Sequence, residues 1–121
     1  MDRDTIWSYA PQSGYREGQI LTGFTVEATD GTIGHVDRQA DDAPRRHLIV
    51  DTGVWVFGKS VLVPAGLVTH IDSEAQKITV ASTRDTIKSA PSFRTDRETL
   101  DASYLDSVAA YYLDLPRRQA T

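Results

Sequence analysis

Three histidines, His35, His47 and His70, are the residues whose type best suits metal or acid–base chemistry. None of them falls in the H-x-x-x-H or H-E-x-x-H spacing of a helical metal site. His35 and His70 each have an aspartate two residues on, Asp37 and Asp72. On strands that spacing puts each pair on one face, so the four form a conceivable metal or small-ligand cluster. The plainer reading is polar strand residues that face solvent on the outside of a sheet, and it is preferred. Asp51 and Asp72 stand at strand ends, and paired acid–base work would require burial and separated pKa values. Asp51 leads into Thr52-Gly53 and reads as a turn former. No G-x-S-x-G, P-loop or G-x-G-x-x-G run is present, and Ser60 follows Lys59 without a glycine-rich lead. Without cysteine there is no disulfide, thiolate or Cys-based zinc chemistry. The expectation is a protein that is not an enzyme, with no catalytic, cofactor-binding or metal-ligating residue to assign.

The elements that position these residues are mostly strands. FTVEA alternates Phe24, Val26 and Ala28 with Thr25 and Glu27, the period of a half-buried strand. Asp30-Gly31 is a tight-turn signal. In TIGHVDRQA, Ile33 and Val36 are three apart, and a β-bulge near Gly34 would return both to the core. HLIVDTG has an apolar middle suited to a strand covered on both sides. SVLVP ends at Pro64, which cannot donate to a ladder. Two further short strands, LVTHID and KITVA, follow. STRDTIKSAP predicts a short helix, with Ser82 or Thr83 as N-cap and Ile87 as its anchor. From Thr95, three before Glu98, a capping-box spacing opens a helix over about 96–115. Its Leu100, Tyr104, Leu105, Val108, Tyr111, Tyr112 and Leu115 recur at helical steps.

The 121 residues predict one domain, with 40% hydrophobic and 25% charged residues. No run of about 18 apolar residues crosses a membrane, and the polar N-terminus has no signal-peptide core. A cytoplasmic location is expected. The net charge of −4, without a dense basic stripe, makes direct nucleic-acid contact unlikely to be the chain's role.

DG–TIGHVD, LIVDTGVW, FGKSVLVPAG, THID, ITV and STRDTIKSAP, in that order, resemble the PRC-barrel family. The resemblance covers residues 20–93 and leaves out an arm, 1–19, and a C-terminal helix and tail, 94–121. It implies a mainly β fold: a small, strongly curved antiparallel β-barrel with a short helix after the last strand. The amphipathic C-terminal helix is added to it here. Related barrels form the cytoplasmic domain of the photosynthetic reaction-centre H chain and the C-terminal domain of a ribosome maturation factor. Stand-alone versions occur in bacteria and archaea. The resemblance implies a binding or scaffolding module without catalytic residues.

The partner is not named by the sequence. Trp55, Val56 and Phe57 are either a recognition patch or a core plug at one barrel end. Trp7, Tyr9 and Tyr15 suggest that the arm packs on the barrel or on a neighbour. A barrel this small offers little surface to the C-terminal helix, so the helix either folds back or packs on a second copy. A homodimer is expected, with Trp7, Tyr9, Phe57, Tyr104, Tyr111 and Tyr112 as candidate contacts. The favoured function is a protein-interaction module with an unknown protein partner. The alternatives are a ribosome- or RNA-processing-associated factor and a metal or small-ligand binder.

Overall fold

A computed structural model describes residues 5–41, 45–53, 60–91 and 101–114. The strands are β1 (Thr25–Ala28), β2 (Gly31–Ala40), β3 (His47–Asp51), β4 (Ser60–Pro64), β5 (Val68–Asp72) and β6 (Lys77–Val80). Two helices follow, α1 (Arg84–Lys88) and α2 (Ala102–Leu113). The fold is mainly β, and each strand lies where the alternation of the sequence puts it. One boundary moved: Ala28 pairs with Gly31, so the β1–β2 turn is Thr29-Asp30, one residue earlier than expected.

The six strands form one sheet in the order β4-β3-β2-β1-β6-β5. Every pair is antiparallel except β1 and β6, which are parallel. The expected all-antiparallel closed barrel is therefore corrected to a mixed sheet in which, among the described residues, β4 and β5 do not pair. The reason lies in the link between those two strands. A hairpin there would have reversed the chain and kept the alternation. Instead the link is a 3-10 turn, Ala65–Leu67, and the pairings give β4 and β5 the same sense along the sheet.

That link also bends the sheet. Across a flat sheet, five strand spacings would separate β4 from β5 by about 24 Å. The four residue steps from Pro64 to Val68 reach at most about 14 Å. The sheet must curl for its two edges to be joined.

Two bulges set which side chains enter the core. The β1–β2 register slips between Val26 and Glu27 and leaves Ile33 unpaired. Ile33 and Val36 are consequently both buried, as a bulge near Gly34 would require. A second slip, between Val36 and Arg38, leaves Asp37 outside the β2–β3 ladder.

Gly34 is where β2 comes closest to the end of β3. Its φ is +155°, and a Cβ there would collide with the Asp51 carbonyl oxygen and lie 2.8 Å from the Asp51 carbonyl carbon. Neither backbone can yield without breaking the bulge.

Helix α1 starts where the sequence placed it. Thr83 is the N-cap and its Oγ1 accepts from the Thr86 amide at 3.2 Å. The Arg84 amide donates to Asp30 Oδ1 at 2.8 Å, which ties the helix to the β1–β2 turn. Helix α2 begins at Ala102, not at 96. Asp101 has an extended backbone and accepts from the Ser103 amide at 2.9 Å, so it is the N-cap. The Thr95–Glu98 capping box lies outside the described residues, as do Trp55, Val56 and Phe57.

Gly34→Ala is expected to lower the unfolding free energy by about 3 kcal/mol or more, from backbone strain and overpacking. Urea denaturation followed by circular dichroism measures it. A change under about 1 kcal/mol, within the range of an ordinary surface substitution, would contradict the close approach.

Candidate interaction surface

The two halves of the sheet have different outer sides. On the β3–β4 half, Leu48, Ile49 and Val50 are all buried, and so are Val61, Leu62 and Val63. Both faces of this hairpin are covered, as the apolar middle of HLIVDTG predicted. The cover comes from the two helices and the N-terminal arm.

The arm is part of the core. Ile6 is fully buried and Trp7 is 4% exposed. The Gly66 amide donates to the Ile6 carbonyl at 2.7 Å, and the Arg46 amide to the Trp7 carbonyl at 3.1 Å. A Cβ on Gly66 would lie 2.6 Å from that Ile6 oxygen, so the arm can sit this close only on glycine. Further along, Tyr9 stacks on Tyr15 with ring centroids 3.9 Å apart. The side-chain amide of Gln39 then grips the backbone, accepting from the Leu21 amide at 2.7 Å and donating to the Gln19 carbonyl at 2.9 Å.

Helix α2 is covered by its own chain. Leu105, Val108, Ala109 and Tyr112, spaced i, i+3, i+4 and i+7, are buried. Tyr111 Oη donates to the Thr86 carbonyl of α1 at 2.6 Å, and Tyr104 Oη to the Pro91 carbonyl at 2.9 Å. At the other end Arg45 reaches Asp106 Oδ1 at 2.8 Å and the Ala102 carbonyl at 3.3 Å. The same guanidinium stands 5.9 Å from the centroid of the Trp7 ring.

The expected dimer therefore loses its ground. It rested on an apolar helix face with too little barrel to cover it, and that face is covered in cis. Trp7 and Tyr112 are buried, Tyr9, Tyr104 and Tyr111 pack partly buried against the core, and Phe57 lies outside the described residues.

On β2, β1, β6 and β5 the arm's turn Pro11–Ser13 meets β5 and α1 meets β2, and one face keeps polar residues in register. The registers place Ser60, Asp51, His35, Thr25, Lys77 and Asp72 opposite one another in one row across all six strands. Opposed residues point to the same side. All six are exposed or half-buried. A second row holds Thr32, Glu27, Thr79 and His70. Lys77 Nζ lies 3.4 Å from Glu27 Oε1, a diagonal pair joining the rows. Both side chains are well exposed, so the pair contributes at most about 1 kcal/mol.

This face does little chemistry by itself. Asp51, His35 and Thr25 stand in the order carboxylate, imidazole, hydroxyl, yet no hydrogen bond joins them among the described residues. Asp51 Oδ1 instead accepts from the Gly53 amide at 2.8 Å, and Asp72 Oδ1 from the Glu74 and Ala75 amides at 3.1 and 3.0 Å. Both carboxylates are turn formers. His35 and His70 have β1 and β6 between them, three spacings of about 4.8 Å on a flat sheet. The bulge at Asp37 removes the same-face relation to His35 that strict alternation implies. Among the described residues no three His, Asp or Glu side chains gather where an ion could be held. A groove of about 480 Å³ beside the arm, lined in part by Ser8, Tyr9, Gln12 and Gly66, has no charged residue in its walls.

The buried titratable groups are structural. Burial pushes the Tyr112 hydroxyl far above its ordinary value, and that hydroxyl has no hydrogen-bond partner among the described residues. The Tyr9 hydroxyl is raised by burial and by the Asp41 charge. His47 is 4% exposed, and burial lowers its pKa below the ordinary imidazole value. The sequence singled out His47 with the other two histidines. What it did not assign was the role of Arg45, Gln39 and Gly66 in binding arm, sheet and helix together.

No helix among the described residues is long and apolar enough to cross a membrane. No family model matches the chain, and no curated protein does. Among solved structures the chain is similar to one described, as a provisional assignment, as the 16S ribosomal RNA processing protein RimM of Pseudomonas aeruginosa. The two share 21% identity at a TM-score of 0.49, over 63% of this chain and 50% of that one. The chain thus spans about half the length of that protein.

Two substitutions test the cover. Tyr112→Phe removes an unpartnered buried hydroxyl and is expected to leave stability unchanged or raise it by about 1 kcal/mol. A loss above 1 kcal/mol in urea would mean that the hydroxyl has a partner. A double-mutant cycle on Arg45→Ala and Asp106→Ala is expected to give a coupling of about 0.5–1 kcal/mol, as for a partly exposed pair. Zero coupling would contradict the contact.

Proposed function

We propose that this chain is a non-catalytic protein-interaction module of the PRC-barrel type, acting in the cytoplasm, and that its docking surface is the outer face of β2, β1, β6 and β5. The ordered motifs from DG–TIGHVD to STRDTIKSAP support the family and, with it, a strongly curved barrel. The observation that carries the functional reading is the pair of polar rows. Across β2, β1, β6 and β5 the registers hold Thr32, Glu27, Thr79 and His70 in one row and His35, Thr25, Lys77 and Asp72 in the other, all exposed or half-buried. Those rows stand on paired strands rather than loops, so a partner would meet a fixed pattern with little ordering cost. The face offers hydroxyls, one lysine, two histidines and carboxylates, a mixture suited to a polar protein surface. A continuous phosphate backbone would call for a basic stripe, and these rows contain none.

The test alters the face and leaves the core alone. Thr25→Arg with Thr79→Arg places two bulky charges in the middle of the rows. Asp85→Lys on α1 serves as a control away from the face. The native protein and both variants are used as bait in native lysate, and captured proteins are quantified by mass spectrometry. A partner retained by the native chain and by Asp85→Lys, and reduced at least tenfold by the double variant, is the expected result. A partner held equally by all three would remove this face from consideration. Binding of RNA with a steep salt dependence would replace the protein partner by a nucleic acid.

A further inference from the structure

The one buried histidine sits where three separate parts of the chain meet. His47 opens β3, opposite Ala40 of β2 on one side and Pro64 of β4 on the other. Its ring lies edge-on to Trp7 of the arm, with centroids 6.1 Å apart and planes at 77°. Its Nδ1 is 3.1 Å from the Arg45 carbonyl oxygen. A carbonyl can only accept, so Nδ1 carries the proton and donates. Arg45 in turn stands over Trp7 and holds α2 through Asp106 and the Ala102 carbonyl. The next residue, Arg46, takes the Trp7 carbonyl on its amide and gives its own carbonyl to Ala65. Residues 45–47 are thus the shared anchor of arm, sheet and helix.

We propose that His47 is an acid-sensitive latch: while neutral it keeps the arm and α2 docked, and on taking a second ring proton it loosens both. Among the described residues the charged groups around it are mostly cationic. Arg45 and Arg46 are on its own segment, and Arg38 on β2 is the charge that acts on the imidazole. The anions nearby are engaged elsewhere. Asp106 of α2 pairs with Arg45 and Glu17 of the arm pairs with Arg46, while Asp41 accepts from Gln39 Nε2 at 2.8 Å through Oδ2 and is not among the charges that act on the imidazole. Trp7 and Pro64 bring no charge. Among the described residues no carboxylate acts on the imidazole, so an imidazolium would be buried beside Arg38 without a counter-charge.

The direction follows from linkage. The docked state resists the proton, whereas a state with His47 in water takes it at the ordinary imidazole value of 6.5. Docking is at full strength above that pH. It weakens as pH falls below 6.5 and levels off once the docked state itself is protonated. Over that window the opening equilibrium changes by up to about tenfold per pH unit.

Amide hydrogen exchange of the whole chain by NMR, between pH 7.5 and 5.0 and corrected for the intrinsic pH dependence of exchange, reads this directly. Protection at the Arg46 and Gly66 amides, which hold the arm, and at the α2 amides is expected to fall several-fold to tenfold per unit below pH 6.5, while β1 and β6 amides hold. In His47→Gln the same amides should show no such dependence. A direct NMR titration of the His47 ring in the native chain needs no variant. A pKa at or above 6.5 would overturn the proposal, as would arm and helix protection that is flat across the range. A fall shared equally by β1 and β6 would make the effect global unfolding and would also overturn it.

Discussion

The three-residue link between β4 and β5 is the constraint on which the rest of this structure depends. It joins the two outermost strands of a six-stranded sheet without reversing the chain. The sheet must curl, because four residue steps cannot cross its flat width. The strand alternation must fail somewhere, and it fails where β6 returns beside β1 in the parallel sense. The corner itself is held from outside. Ala65 donates to Arg46, Gly66 donates to Ile6, and Leu67 accepts from Ala81. The arm reaches this corner because Gly66 has no side chain to hold it off.

Much of this was legible in the sequence, and what was missed has one physical cause. Alternation in FTVEA, the apolar run of HLIVDTG and the turn signals between short apolar segments marked the six strands, and the Ile33–Val36 mismatch pointed to a bulge. Thr83, Asp85, Lys88 and Pro91 bounded α1. Each of those signals is local. The errors came wherever a contact distant in sequence decided the outcome. Strand order and sense depend on a turn whose Ala-Gly-Leu sequence says nothing about whether the chain reverses. The helix expected over about 96–115 does not run unbroken through Asp101, whose short side chain caps α2. The proposed His35–Asp37 pairing assumed an unbroken ladder, and the bulge at Asp37 breaks it. The docking of α2 was left open because arginine at position 45 gives no sign that it reaches Asp106 across 61 residues.

Cover and anchorage explain each other. An edge strand with unpaired backbone groups is a site for unwanted pairing. The β4 edge is instead buried from Val61 to Pro64, with α1 against it and α2 tied to α1. At the β5 edge the turn Pro11–Ser13 lies alongside, and a register slip at Thr69 bends the strand. The β4 edge is thus protected by α1 and the β5 edge by the arm. The aromatic residues Trp7, Tyr9, Tyr104, Tyr111 and Tyr112 pack the arm and α2 against the rest of the chain.

That relation also locates where a partner would find free surface. An aromatic that closes the chain on itself can reach a partner only after the arm or helix lets go, and Ile6, Trp7 and the α2 face are buried together in one apolar cluster. Release would therefore expose a large area at once, and it would be opposed by roughly 2 kcal/mol for each large side chain uncovered. One proton on His47 supplies a fraction of that, so acid would shift a population rather than detach the helix outright. The polar rows of β2, β1, β6 and β5 need no such release. Ile20, at 75% exposure, is the one large hydrophobic residue left in water among the described residues, which leaves no apolar patch to compete with them.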